Sequence, residues 1–222
     1  MIRAEKISKR YQNGAGEFLA VNEADFTIAK GDFVLVIGRS GSGKSTLLSM
    51  LGGLTRPSDG TVRIDDEEIW KMPDNRLSQI RAEKIGFVFQ FSGLLPTLTA
   101  RENVLLPVLF HRRKGDPANT RAVDLLRSFS LGEKLDSYPS QLSGGEVKRV
   151  AIARSLMNDP EILLADEPTG DLDVDTEQEI MDLFRSVNAQ GKTILVVSHN
   201  PDLASFADRI FRMEKGTLVE IT

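Results

Sequence analysis

The chain has 222 residues, with 28 Lys and Arg against 32 Asp and Glu, for a formal net charge of −4. Hydrophobic residues make up 41% and charged residues 27%, the mix of a folded globular chain with enough material for a sizeable core. The acidic balance argues against a protein that grips nucleic-acid phosphates, and the absence of cysteine removes disulfides, thiolate metal sites and cysteine nucleophiles. The longest nearly apolar run, Val104 to Phe110, is far shorter than the roughly 20 residues of a spanning helix. Met1 to Lys6 shows no signal-peptide core, so any role at a membrane is expected to run through a partner.

In chain order, Ile2, Ala4 and Lys6-Ile7 alternate and Ala20 to Ile28 alternate again, which predicts strands on either side of the turn-rich Asn13-Gly14-Ala15-Gly16. Gly31-Asp32 marks a turn before Phe33-Val34-Leu35-Val36-Ile37, an apolar strand suited to burial on both faces of a helix-covered parallel sheet. Ile162 to Ala165 and Thr193 to Val197 read the same way, and Ile85 to Phe89 is a fourth candidate. From Leu94 to Asn158 the texture becomes helical. Asp116 and Pro117 read as an N-cap and first helical residue, and Ser143 to Met157 is a helix stopped by Asn158-Asp159-Pro160. Asp173 to Val187 is a further helix, with Asp173, Asp175 and Glu177 at its positive end. The expectation is an α/β fold with a parallel sheet and a helical subdomain inserted between its strands.

Gly38-Arg39-Ser40-Gly41-Ser42-Gly43-Lys44-Ser45 matches GxxxxGK[ST] directly after a buried strand, with Thr46 to Leu51 able to continue as a helix. Glycines let backbone amides turn inward around phosphate oxygens, and the helix N-terminus adds partial positive charge. Lys44 is placed to reach the β- and γ-phosphates and the Ser45 hydroxyl to ligate Mg²⁺. Ile162 to Ala165 ends in Asp166-Glu167. Asp166 is expected to face the phosphate loop and hold Mg²⁺, while Glu167, pointing the other way if the strand stays extended, is better placed to polarise an attacking water.

Together with Leu142-Ser143-Gly144-Gly145-Glu146, these motifs resemble the signature of ABC-type ATPases, and the order of elements matches that family over essentially all 222 residues. The resemblance implies a P-loop NTPase (RecA-like) core with a parallel sheet, an N-terminal antiparallel β subdomain and an inserted α-helical subdomain: residues 1–90 and 159–222 against about 91–158. It implies that Tyr11 stacks on adenine, that Arg39 to Thr46 hold the phosphates, and that Gln90 senses Mg²⁺ and the γ-phosphate. It makes Gly170-Asp171-Leu172-Asp173 a dimer-contact loop and His199 the switch histidine. Taken singly, Tyr11 also reads as a surface aromatic, Gln90 as a strand-end cap and His199 as an idle exposed histidine.

Ser143 to Glu146 also forms a capping box, with Ser143 accepting from the Glu146 amide and Glu146 reaching back. Two glycines in a first helical turn cost about 1 kcal/mol each relative to alanine. They are expected where bare backbone approaches a phosphate, and the resemblance assigns that phosphate to a nucleotide held by another copy of the chain. Glu146, Val147-Lys148-Arg149 and Asp171 depart from the commoner family pattern, and extra acid there is expected to weaken nucleotide binding or retune the dimer interface.

The implied function is an ATPase subunit of a transporter. Two ATP molecules and Mg²⁺ lie in a head-to-tail homodimer, and an integral membrane permease docks near Gln90 to Leu98, on the cytoplasmic face of the membrane. Phe89-Gln90-Phe91, Leu94-Leu95-Pro96 and Ala165 to Gly170 resemble the subgroup of lipoprotein-release, macrolide-export and cell-division ABC ATPases. The alternative is a soluble ABC-type ATPase acting on DNA or ribosomes. The lack of a heptad tract, the single cassette and the acidic balance disfavour it.

Overall fold

A computed structural model describes residues 1–14, 16–110 and 117–221, the side chain of Asn13 excepted. Two sheets carry the fold. The first is antiparallel, in the order β2-β1-β4-β5, from β1 (Ile2–Asn13), β2 (Gly16–Ile28), β4 (Asp59–Ile64) and β5 (Glu67–Glu68). The second has the order β10-β9-β3-β8-β7-β6, from β3 (Phe33–Ile37), β6 (Ile85–Val88), β7 (Ile162–Asp166), β8 (Thr193–Ser198), β9 (Arg209–Glu214) and β10 (Thr217–Glu220). Its strands run parallel from β6 to β9, and β10 closes the edge antiparallel.

The apolar strands behave as their composition requires. Every residue of β3 and β8 is buried. Alternation sends Val34 and Val36 to one face of the sheet, where they pack with Leu47 and Leu51 in a core shared with the antiparallel sheet. Phe33, Leu35 and Ile37 go to the other face, with Ile180 and Phe184. Helices α1 (Lys44–Leu51) and α6 (Val174–Ala189) supply these partners. Between β6 and β7 lie α3 (Ala100–Phe110), α4 (Ala118–Ser128) and α5 (Gly144–Ser155), packed on the second core through Val104, Leu126 and Val150.

Several boundaries differ from the sequence reading. The expected helix from Ser143 to Met157 is shorter, with Ser143 as N-cap and Leu156 as C-cap, and Asp173 is the N-cap of α6. Pro117 immediately precedes α4, whereas the expected cap Asp116 lies outside the described residues. Strands β4, β5, β9 and β10 and the charged helix α2 (Asp74–Lys84) were not anticipated. Of α2 only Leu77 and Ile80 are buried, too few apolar positions to set a helical period.

Candidate active site

The phosphate loop runs from the end of β3 into α1. Gly43 caps α1 with φ +110, a left-handed conformation that side chains rarely adopt, and a Cβ there would lie 2.1 Å from the Ala20 carbonyl oxygen. That tight turn aims the first amides of α1 into a cleft of about 650 Å³. The cleft is lined by Arg39 to Thr46 together with Phe18, Ala20, Gln90, Glu167 and His199. The Ser42 hydroxyl in the loop is buried and has no hydrogen-bond partner, an orphan polar atom that an oxygen-rich ligand would satisfy.

Lys44 is only 5% exposed. Its ammonium donates to the Gly38 carbonyl at 2.7 Å and the Arg39 carbonyl at 3.2 Å, and lies 3.3 Å from Glu167 Oε1. The Ser45 hydroxyl donates to Asp166 Oδ1 at 2.9 Å, so two of the three expected Mg²⁺-site residues, the third being Gln90, already meet. Burial pushes the Asp166 carboxyl above its ordinary range; the Ser45 hydrogen bond opposes this, the neighbouring Glu167 charge adds to it and Lys44 counters it.

Glu167 leaves the extended geometry assumed from the sequence. Its φ of +45 turns it out of the strand, so its side chain faces the same cleft as the loop instead of the opposite side. Oε2 then receives the His199 backbone N–H at 3.1 Å and meets His199 Nδ1 at 2.8 Å. A carboxylate only accepts, so Nδ1 carries the ring proton in this contact.

Tyr11 does not line the cleft. It stacks on Phe18, with ring centroids 5.6 Å apart and planes 26° from parallel, and Phe18 is the ring that faces the cavity. Alternation along β2 was the only sequence signal that could have singled out Phe18.

The signature residues Ser143, Gly144, Gly145 and Glu146 are also absent from the lining of this cleft. The capping box forms in both directions: Glu146 N–H donates to Ser143 Oγ at 3.2 Å and Ser143 N–H to Glu146 Oε2 at 2.8 Å. The latter bond chiefly holds the Glu146 carboxyl below its usual range. At one of the two positions the glycine has a reason within the chain itself, and no approaching phosphate is needed to explain it. A Cβ on Gly145 would lie 2.6 Å from Thr176 Cγ2, so packing against α6 already demands glycine there, whereas a Cβ on Gly144 would meet Leu172 at an ordinary 3.5 Å.

Two of the departures from the family pattern offset one another. Lys148 is buried and donates to the Gln90 carbonyl at 2.5 Å, tying α5 to the loop that follows β6. Burial lowers its pKa, and the negative charge of Asp171 works in the opposite direction. Arg154, lower on α5, donates to the carbonyls of Ser92 and Gly93. The glutamine loop therefore hangs from the signature helix by two cations, a link that the sequence reading missed.

Among the described residues, no group of three or more His, Cys, Asp or Glu side chains could hold a metal by itself. Ser45 and Asp166 offer hard oxygens that fit an ion sharing its shell with phosphates and water, the manner in which Mg²⁺ is usually held.

The ABC transporter family model matches residues 21–170. The lipoprotein-releasing system ATP-binding protein LolD of Cytophaga hutchinsonii is 46% identical over 220 residues, 99% of each chain. The macrolide export ATP-binding/permease protein MacB 1/2 of Paracoccus denitrificans is 40% identical over 219 residues, covering 99% of this chain and 33% of that one. Among solved structures, the dimeric post-hydrolysis state of the ATP-binding cassette MJ0796 of Methanocaldococcus jannaschii, bound to ADP and Pi, superposes with a TM-score of 0.90 at 40% identity, covering 100% of this chain and 99% of that one. With a phosphate loop, a paired Ser45 and Asp166 and a Glu167–His199 contact arranged around one cleft on that fold, the chain belongs to the ABC transporter family, as one of its ATP-hydrolysing ATP-binding subunits.

Proposed function

We propose that two copies of this chain close head to tail over two ATP molecules, each copy completing the site of the other, and that Glu167 acts as the base for the attacking water. The observation that carries the reading is the position of the Glu167 carboxylate, between Lys44 at 3.3 Å and His199 at 2.8 Å. Phosphate oxygens entering the loop compete for the Lys44 ammonium, which frees the Glu167 carboxylate to accept a proton from water. His199 steadies that carboxylate from its other oxygen. Arg39 to Thr46 present amides and hydroxyls to the phosphates, and Gln90 reaches the cleft from the end of β6. Ser45 and Asp166 would hold Mg²⁺, which when bound neutralises charge on the β- and γ-phosphates. Tyr11, behind Phe18, is assigned to the base end of the cleft.

Ser143, Gly144, Gly145 and Glu146 at the start of α5, and Asp173 at the start of α6, complete the site of the second copy across a two-fold axis. Their absence from the lining of their own cleft supports that placement, as does the dimeric state of the MJ0796 cassette. The test is Glu167→Gln, which keeps the shape and removes the base. ATP binding should persist while turnover falls by about 10²–10⁴-fold. Wild-type hydrolysis in that variant overturns the assignment.

For the membrane partner, the supporting feature is an apolar groove of about 520 Å³, whose lining includes Phe89, Pro107, Phe110 and Arg154. Phe91 is 79% exposed and Phe110 86% exposed, large apolar areas that a lone surface rarely leaves open. Leu94 instead packs on the second core, so within Gln90 to Leu98 the exposed apolar residues are Phe91, Leu95 and Pro96, and the proposed docking face extends from them along α3. No helix among the described residues is long and apolar enough to cross a membrane. The apolar groove is assigned to a permease at the cytoplasmic face of the membrane.

A further inference from the structure

The reaction geometry proposed above depends on two turns lying side by side. One follows β7 and carries Glu167; the other follows β8 and carries His199. The parallel ladder between these strands ends at Asp166 opposite Val197, and the Glu167 N–H to Val197 carbonyl bond, 2.9 Å, is the last backbone link. Beyond that point the backbone no longer fixes one turn against the other. Among the described residues, apart from the Glu167–His199 contact itself, one side chain hydrogen-bonds to both turns.

Glu177, in the first turn of α6, places one carboxylate oxygen on each turn. Oε2 accepts from the Thr169 hydroxyl at 2.6 Å, and Oε1 accepts from the Asn200 amide at 2.7 Å. Thr169 is buried and lies two residues after Glu167, in a turn closed by the Gly170 N–H on the Glu167 carbonyl at 3.2 Å. Asn200 follows His199 directly, and its own Oδ1 accepts the Asp202 N–H at 3.0 Å, which fixes the orientation of the amide. Neither Thr169, Asn200 nor Glu177 lines the nucleotide cleft. In the sequence alone Glu177 is only negative charge at a helix start.

We propose that Glu177 is a positioning residue for hydrolysis, bridging the Glu167 turn to the His199 turn so that the base and its histidine partner keep their contact. This rests on the assignment of Glu167 as the base. Misplacing a reacting group by about 1 Å can cost on the order of 100-fold in rate, so a brace that touches no substrate still acts on turnover.

The test compares Glu177→Ala with Glu177→Gln in steady-state ATP hydrolysis, with KM and kcat separated. The alanine variant loses both arms and should lose roughly 10-fold or more in kcat, with KM for ATP little changed because the phosphate loop is untouched. The glutamine variant should restore kcat to within about threefold of wild type, since its amide oxygen can accept from Asn200 and its NH₂ can donate to the Thr169 hydroxyl. Thr169→Val, which cuts one arm without altering α6, should lower kcat in the same sense and serves if the alanine variant does not fold. Wild-type kcat in Glu177→Ala or in Thr169→Val overturns the proposal. Equal losses in the alanine and glutamine variants also overturn it, because they would mean that the charge at the helix start matters and the bridge does not. Glu167→Gln run alongside separates the two levels. If Glu167→Gln is inactive while Glu177→Ala is normal, only this inference fails; if Glu167→Gln is active, the underlying reading fails.

Discussion

Gly145→Ala tests whether the signature helix owes its second glycine to packing within the chain. Alanine normally improves a helix over glycine by about 1 kcal/mol, so on propensity alone the substitution should stabilise α5. The structure predicts the reverse. The added Cβ would lie 2.6 Å from Thr176 Cγ2, whereas carbon atoms in contact settle near 3.5–4.0 Å, so α5 and α6 must separate by about 1 Å. Thr176 cannot rotate aside freely: its N–H and hydroxyl both donate to Asp173, at 2.9 and 2.8 Å. Overpacking of this kind costs about 1–3 kcal/mol.

The decisive version is a double-mutant cycle with Thr176→Ser, which removes the opposing methyl and keeps the hydroxyl that bonds Asp173. Stability is read by chemical unfolding without nucleotide. In the wild-type background Gly145→Ala should be net neutral to destabilising by about 2 kcal/mol, and in the Thr176→Ser background it should become stabilising by about 1 kcal/mol. The coupling between the two positions is then about 1–3 kcal/mol, well outside the roughly 0.3–0.5 kcal/mol within which independent sites add. Additive effects would refute the packing argument and return Gly145 to the role inferred from the sequence.

Gly144→Ala should behave oppositely. Its Cβ meets Leu172 at an ordinary 3.5 Å, so the Tm should hold or rise while ATP-driven dimerisation and hydrolysis fall; unchanged hydrolysis would remove Gly144 from the partner's site. Asp166→Asn should raise the Tm of the nucleotide-free protein at pH 7 while abolishing Mg²⁺-dependent hydrolysis. Because burial raises the carboxyl's pKa in the folded chain, folding favours the protonated form, and stability drops as pH rises from the unfolded pKa through the folded one. Above both values the penalty is fully present, and asparagine removes it while still accepting from Ser45. A lower Tm at pH 7, or a gain that persists unchanged in acid where the wild-type carboxyl is already protonated, would contradict this.

What could be read from the sequence follows from which forces act locally. Phe33 to Ile37 and Thr193 to Val197 announced themselves because burial on both faces leaves no polar position to confuse the pattern. β9 and β10 escaped because Arg209, Arg212 and Glu214 break the apolar run: Arg209 pairs with Glu220 across the hairpin at 2.7 Å, a contact visible only after folding. α2 is held by two buried side chains and by Arg81 donating to the Gly53 carbonyl at 2.8 Å, again a partner distant in sequence. The phosphate loop, Asp166 and Glu167 were legible as residue types next to buried strands, but the backbone turn at Glu167 was not. A glutamate with φ +45 is costly for a side-chain-bearing residue, and no local pattern marks it.

That turn explains why one acid of an adjacent pair can bond Ser45 while its neighbour faces the lysine. Had Glu167 stayed extended, it would have pointed away from Lys44, and the buried ammonium would have been left with only the Gly38 and Arg39 carbonyls. With the turn, the buried cation and anion neutralise one another before nucleotide arrives, at 3.3 Å. A buried pair broken on one side leaves an uncompensated charge, which is strongly unfavourable. Under the function proposed above, a phosphate that took Lys44 would also unpair Glu167, so that substrate entry and exposure of the base would be a single event. The glutamine loop is tied by Lys148 and Arg154 to the helix that begins with the signature, so in the proposed dimer a shift of Gln90 toward phosphate would also load the start of α5.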